Sequence, residues 1–214
     1  MSKYVVLDLE MCRVPYDKRQ GFDYSSEIIE IGAVLLDENL NELDTFMTYV
    51  CPEYGFVDDF IEKLTGITNE HTKNAPKAKE AFDMFEKWLP EDDFKFVAWS
   101  ECDETQFMHE IEHKNLSMPK LESQKGEWID CQVTFSEKMD TDKVYKLSEA
   151  LVIADIFFEY GEHDALVDSI NTAKLFVKME QEDELQLSSY YASEQVETLS
   201  YNPFADALKN FVFA

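Results

Sequence analysis

Near its start the chain runs Tyr4-Val5-Val6-Leu7-Asp8-Leu9-Glu10. The aliphatic run over residues 4–9 predicts a buried strand. Side chains two apart on a strand point the same way, so Asp8 and Glu10 converge on one place at its carboxyl end. Like charges held that close are costly unless a cation lies between them. Two readings fit the pair alone: the alternating acids of a surface strand, or hard oxygen ligands for magnesium or manganese.

Working outward, residues 28–36 form a second aliphatic run, in which Gly32 and Ala33 mark close packing, and residues 43–50 a third, rich in threonine and aromatics and reaching a turn at Pro52. Together they predict a three-strand meander. Helices are expected over 57–64, ended by Thr65-Gly66, over 75–89, ended by Pro90, and over 103–113. A short strand over 94–99 separates the last two. Residues 117–127 read as loop, 128–130 as a brief strand, and 132–138, 147–153 and 165–179 as helices. Strands alternating with helices predict an α/β fold with helices on both faces of a mixed sheet.

With 214 residues, 45% hydrophobic and 14% aromatic, the chain can bury one sizeable core. The expected division is one domain over 1–180, then an acidic linker and an amphipathic C-terminal helix within 181–214. In that tail Asn202 caps, Pro203 takes the first helical position, and Phe204, Leu208, Phe211 and Val212 share a face. The face must bury itself on the chain's own core, on a partner or on a second copy in a homo-oligomer. No secretory leader pattern and no membrane-length apolar run is present. Cys12, Cys51, Cys102 and Cys131 are widely spaced and form no CxxC, which points to reduced thiols and a cytoplasmic location.

A net charge of −26 argues against any mode of nucleic-acid binding that relies on a broad basic footprint. The only arginines, Arg13 and Arg19, follow directly after Asp8 and Glu10. They are either solvated loop residues or contacts for a phosphate backbone passing that pair.

Two further segments carry acids. In Gly161-Glu162-His163-Asp164-Ala165-Leu166-Val167-Asp168, Asp164 suits a helix N-cap, Asp168 lies about one turn in, and His163 is a candidate proton acceptor. In Phe96-Val97-Ala98-Trp99-Ser100-Glu101-Cys102-Asp103, a strand hands over to a helix with Asp103 in its first turn, as a cap or as a ligand.

Taken in order, these segments resemble the DEDDh-type 3′-to-5′ exonuclease family over about residues 4–179. Asp8-Leu9-Glu10 is similar to its first motif, residues 99–107 to its second, and His163-Asp164-Ala165-Leu166-Val167-Asp168 to its third. Glu30-Ile31-Gly32-Ala33 and Leu64-Thr65-Gly66-Ile67-Thr68 support the match. Met11 and Cys12 stand where the family often has a threonine, and Ser100-Glu101-Cys102 where it often has a glycine. The resemblance implies a ribonuclease H-like three-layer fold and removal of nucleotides from the 3′ end of single-stranded RNA or DNA. It implies two ions, magnesium or manganese, held by Asp8, Glu10, Asp103 and Asp168, with His163 as general base. It also marks Met11 and Leu64 as candidate substrate contacts, beside Arg13 and Arg19, which are candidates by their position after Asp8 and Glu10.

Two other classes compete. His109-Glu110-Ile111-Glu112-His113 fits HExxH, the zinc-peptidase signature. Periodicity opposes it, because Phe107, Met108 and Ile111 define the apolar side of the helix and turn both histidines toward water. A catalytically silent interaction module docking through the tail would have no physical need for clustered acids.

Overall fold

The aliphatic run near the start becomes the central strand of a mixed sheet. The computed structural model describes residues 2–19, 25–157, 161, 163–189 and 191. Its five strands are β1 (Lys3–Arg13), β2 (Ser26–Leu36), β3 (Glu42–Tyr49), β4 (Phe94–Ala98) and β5 (Ile129–Asp130), in the order β3-β2-β1-β4-β5. The first three form the expected antiparallel meander, whereas β4 pairs parallel with β1 and β5 with β4. The helices are α1 (Asp59–Thr65), α2 (Asn69–Lys73), α3 (Ala78–Trp88), α4 (Glu101–His113), α5 (Pro119–Glu122), α6 (Cys131–Lys138), α7 (Leu147–Ile153) and α8 (Ala165–Gln181).

Alternation along β1 and β4 divides the core into two layers. Val5, Leu7, Leu9 and Phe96 face Phe82 and Phe85 of α3 and Phe107 of α4. Val6 and Val97 face Leu151 of α7 and Ala173 and Phe176 of α8 on the other side. This is the expected three-layer α/β arrangement.

Several elements differ from the reading of the sequence. β1 does not end near Glu10 but continues to Arg13 through a bulge between Glu10 and Met11. The antiparallel partner β2 keeps pairing as far as Arg13 with Ser26, while the parallel partner β4 stops at Leu7 with Ala98. Asp8 and Glu10 therefore lie inside a strand, just beyond the carboxyl end of its parallel pairing. A short helix, α5, forms where loop was expected. The unforeseen α2 is nucleated by Thr68, whose hydroxyl accepts from the N–H groups of Glu70 and His71. α4 starts two residues earlier than expected because Ser100 caps it.

Gly32 sits where α8 crosses the sheet. A Cβ there would lie 2.2 Å from the carbonyl carbon of Ala165 and from the nitrogen of Leu166, so the first turn of α8 rests directly on the β2 backbone. Past α8 the chain returns to the fold: Ser188 N–H donates to Ile153 O at 2.8 Å, and Leu185, Leu187 and Tyr191 pack on the α8 side of the core. The helix expected around 203–212 lies outside the described residues, and docking through it finds no support among them. All four cysteines are free, and no helix among the described residues is long and apolar enough to cross a membrane.

Gly32→Ala should destabilise the fold by about 3 kcal/mol, because the atom that must give way is helix backbone rather than a flexible side chain. Chemical denaturation measures this, and a change within experimental error would contradict the contact.

Candidate active site

Carboxylates reach one place from separate parts of the chain. β1 supplies Asp8 and Glu10, paired across to Gly32 and Glu30 of β2. β4 ends at Ala98 and the chain turns through Trp99 and Ser100 into α4, whose first turn carries Asp103. The turn leaves the Leu9 N–H beyond the last residue of the β1–β4 pairing, and Asp103 Oδ1 accepts from it at 3.2 Å. Asp103 is therefore not the helix cap, which is Ser100; it locks α4 to β1 between the two acids.

The third segment arrives through the start of α8. Asp164 caps the helix, accepting from Val167 N–H at 3.0 Å, as expected. Glu30 Oε2 accepts the N–H of Ala165 at 3.0 Å, so β2 holds the same turn from beneath. His163 has a left-handed backbone, φ 67°, and its N–H donates to Asp168 Oδ2 at 2.9 Å. A non-glycine residue keeps such a conformation only where its surroundings over-determine it. Ligand atoms of Glu10, His163 and Asp168 all lie within 4.8 Å of one another.

Burial and mutual repulsion raise the affinity of this cluster for protons. Burial, then Asp103, Glu10 and Asp168, pushes Asp8 well above the usual carboxylate range. Burial, then Asp168, Glu30 and Asp103, pushes Glu10 up to about 8. Asp103 reaches about 7, chiefly through burial and despite the Leu9 N–H. Glu30 also reaches about 7, through burial opposed by the Ala165 N–H, and its other oxygen, Oε1, is buried without a hydrogen-bond partner. Carboxylate oxygens that repel one another in a buried setting fit a hard divalent cation. The residues present therefore suit the metal that the sequence pattern implies.

The cluster opens into a cleft of about 510 Å³, lined among others by Asp8, Glu10, Met11, Trp99, Lys146 and His163. A larger hollow of about 630 Å³, bordered by Pro90, Phe94 and Lys120, lies at the amino end of β4, away from these acids. Of the expected substrate contacts, Met11 lines the cleft and the other three do not. Arg13 is exposed, its guanidinium 4.9 Å from the centre of the Phe60 ring. Arg19 donates to the carbonyls of Val14 and Ser25 at 2.7 and 3.4 Å, and Leu64 is exposed on α1.

Reasoning from sequence missed Glu30 as a fifth acid and Lys146 as a cation lining the cleft. Glu30 could have been found from strand register, since it faces Glu10 across the β1–β2 pair. Lys146 had no local signal; Gln132 places it by donating to the neighbouring Tyr145 carbonyl at 2.6 Å.

The HExxH reading is corrected. Glu110 is fully buried and accepts from the Ile28 N–H and from Gln106, while its other oxygen pairs with Lys114 at 2.7 Å. Lys114 also pairs with Glu27 at 2.7 Å, and Glu27 accepts from the N–H groups of Glu53, Tyr54 and Gly55. Glu110 is thus committed to a buried ion cluster that fastens α4 to β2, while His109 faces water.

A protein-family model described as an exonuclease (RNase_T) matches residues 5–176. ERI1 exoribonuclease 2 of Xenopus laevis is 30% identical over 186 residues, 75% of this chain and 26% of that one. The Danio rerio protein of the same name is 32% identical, over 75% of this chain and 32% of its own. The chain thus spans about a quarter to a third of these relatives. DNA polymerase III subunit epsilon of Aquifex aeolicus is 29% identical over 91% of this chain and 89% of its own. Among solved structures, the nuclease domain of 3′hExo, described as a DEDDh family member bound to rAMP, superposes with a TM-score of 0.73. It is 23% identical and covers 88% of this chain and 96% of its own, a likeness of fold.

The raised carboxylates bring a pH dependence. The folded chain keeps protons that the unfolded chain releases, so between about pH 4.5 and pH 8 the metal-free fold loses stability as pH rises. A divalent cation offsets that loss most where the acids would otherwise hold protons least. Added magnesium or manganese should therefore raise the melting temperature over the EDTA value more at about pH 8 than at about pH 5. Differential scanning calorimetry measures this, and equal increments at both pH values would count against a cation among these acids.

Proposed function

The chain belongs to the DEDDh-type 3′-to-5′ exonuclease family, and on that premise we propose that it shortens single-stranded nucleic acid from the 3′ end, releasing nucleoside 5′-monophosphates. The observation that carries this reading is the convergence of Asp8, Glu10, Asp103 and Asp168 with the imidazole of His163 beside them. Asp8, Glu10, Asp103 and Asp168 would hold two ions, magnesium or manganese, which when bound supply positive charge to the phosphate oxygens and to the departing 3′ oxygen.

The rest is done by side chains of this chain. His163 accepts a proton from the attacking water; that water's oxygen bonds to phosphorus, and the bond from phosphorus to the penultimate 3′ oxygen breaks. The bond from His163 N–H to Asp168 sets the histidine beside the acid, while Asp164 and Glu30 hold the helix turn that carries both. Met11 and Trp99 give the cleft an apolar wall for the terminal nucleoside, which must be unpaired to lie there. A net charge of −26 favours short substrates making few phosphate contacts, with strong salt dependence. Four free thiols suit a reducing compartment such as the cytoplasm.

Relatives named for RNA and for DNA chemistry make both sugars part of the test. Strands labelled at the 5′ end, of RNA and of DNA, should shorten progressively from the 3′ end with magnesium or manganese and remain intact in EDTA. His163→Ala should lower kcat by about a hundredfold to ten-thousandfold while metal affinity, read by calorimetry, stays nearly unchanged. Asp8→Ala should lose both. Equal loss of metal in the two variants would reassign His163 as a ligand, and intact strands under every metal would end the exonuclease reading.

A further inference from the structure

The burial pattern of β1 leads from the acids of the cleft to an exposed end at Arg13. Leu7 and Leu9 are buried, and Asp8 and Glu10 line the cleft together with Trp99, Lys146 and Asp168. Met11 packs against the core cluster of Leu7 and Leu9 and also lines the cleft. The register shift at Glu10/Met11 places its extra residue, Ile29, on β2; beyond it Cys12 and Val14 are buried and Arg13 is exposed. Arg13, two residues past Met11, continues the same line out of the cleft.

That line ends on aromatic surface. The Arg13 backbone bridges to Phe56, and its guanidinium lies 4.9 Å from the Phe60 ring, yet Phe56 and Phe60 remain 50% and 55% exposed. Leu64, one turn beyond Phe60 on α1, is exposed as well. Large side chains left in water beside a guanidinium have the makeup of a surface on which bases stack while the cation takes a phosphate. Charge selects the occupant. In a chain of net charge −26 with only two arginines, one, Arg19, holds its own loop, and the other, Arg13, lies two residues along β1 from Met11 of the cleft wall.

We propose that Arg13 and Phe60, with Phe56 beside them, form a track for the nucleotides that precede the one being removed, Arg13 meeting a phosphate and Phe60 stacking on a base. This rests on the exonuclease reading, since the track leads out of the cleft assigned to the terminal nucleotide. A dinucleotide occupies the cleft without reaching the track, whereas a strand of several nucleotides uses both.

The test compares Arg13→Gln and Phe60→Ala with the unaltered chain on a dinucleotide and on a single strand of about seven nucleotides, with magnesium. Each variant should raise KM for the longer strand about tenfold, the scale of one lost base stack or phosphate contact. For the dinucleotide, kcat/KM should stay within about twofold. Arg13→Gln should also flatten the dependence of log affinity on log salt by about 0.7, the share of one phosphate on a single strand. Phe60→Leu, which keeps apolar bulk without the ring face, should behave like Phe60→Ala and so separates stacking from packing. Binding is read in parallel by fluorescence anisotropy of the labelled seven-nucleotide strand on the His163→Ala background, or on the unaltered chain if that turns over nothing. Loss of strand binding in the Arg13 and Phe60 variants of an inactive chain would keep the track and discard the catalytic reading. Unchanged KM and unchanged strand binding in both variants would discard the track and leave the exonuclease standing. Equal losses on dinucleotide and longer strand would also overturn it, showing that these residues shape the cleft itself.

Discussion

The direct contact between Gly32 and the first turn of α8 is the constraint on which the rest of the site depends. Only a residue without a Cβ lets that turn settle on the β2 backbone, where its peptide atoms would lie 2.2 Å from a methyl carbon. At that distance the Ala165 N–H reaches Glu30, and the chain before it must bend back on itself, which puts His163 at φ 67° and in bond with Asp168. A helix lifted by the thickness of one methyl group would lose the Glu30 bond and carry Asp168 away from Glu10. The geometry of a buried carboxylate cluster is thereby set by an absent side chain on a neighbouring strand.

The cluster is held together against its own charge. Asp8, Glu10, Glu30 and Asp103 each gain protons through burial first and through one another second. Backbone N–H groups offset part of this, Leu9 at Asp103 and Ala165 at Glu30, and these are the same bonds that join the helices to the sheet. The buried ion cluster under α4 works differently. There Lys114 answers Glu27 and Glu110 directly, so that Glu27 is held below its ordinary range by Lys114 and three N–H groups, which outweigh its burial, while Glu110, more deeply buried, remains above. Such an arrangement leaves no unmet demand for a cation. The acids of the cleft have that demand, which separates a structural ion cluster from a candidate metal site built of the same residue types.

Much was legible in local pattern, for physical reasons. Apolar runs of the right length must become buried strands, so the meander and the placing of Asp8 and Glu10 on its first strand could be read directly. Asp164 before an aliphatic helix declares a cap, and the amphipathic face of α4 turned His109 toward water, as found. Other features had no local trace. Nothing in Met11-Cys12-Arg13 announces a strand, because β1 extends there only through pairing with β2, and the register shift within that pairing is a property of the pair. Glu110 looked like half of a zinc motif until Ile28 and Lys114 were found against it.

The sequence by itself determined the α/β class, the strand that carries the first two acids, the family resemblance, and the order in which the remaining acids and the histidine follow. These depend on periodicity and spacing, which act within a few residues of one another. Tertiary structure alone decided that Asp103 bonds Leu9 rather than capping its helix, that Glu30 is a fifth acid at the site, that Lys146 lines the cleft, and that Arg13 points outward over Phe60. Each of these rests on where a partner more than ten residues away comes to lie, and that is fixed only when the sheet and helices close on a shared core.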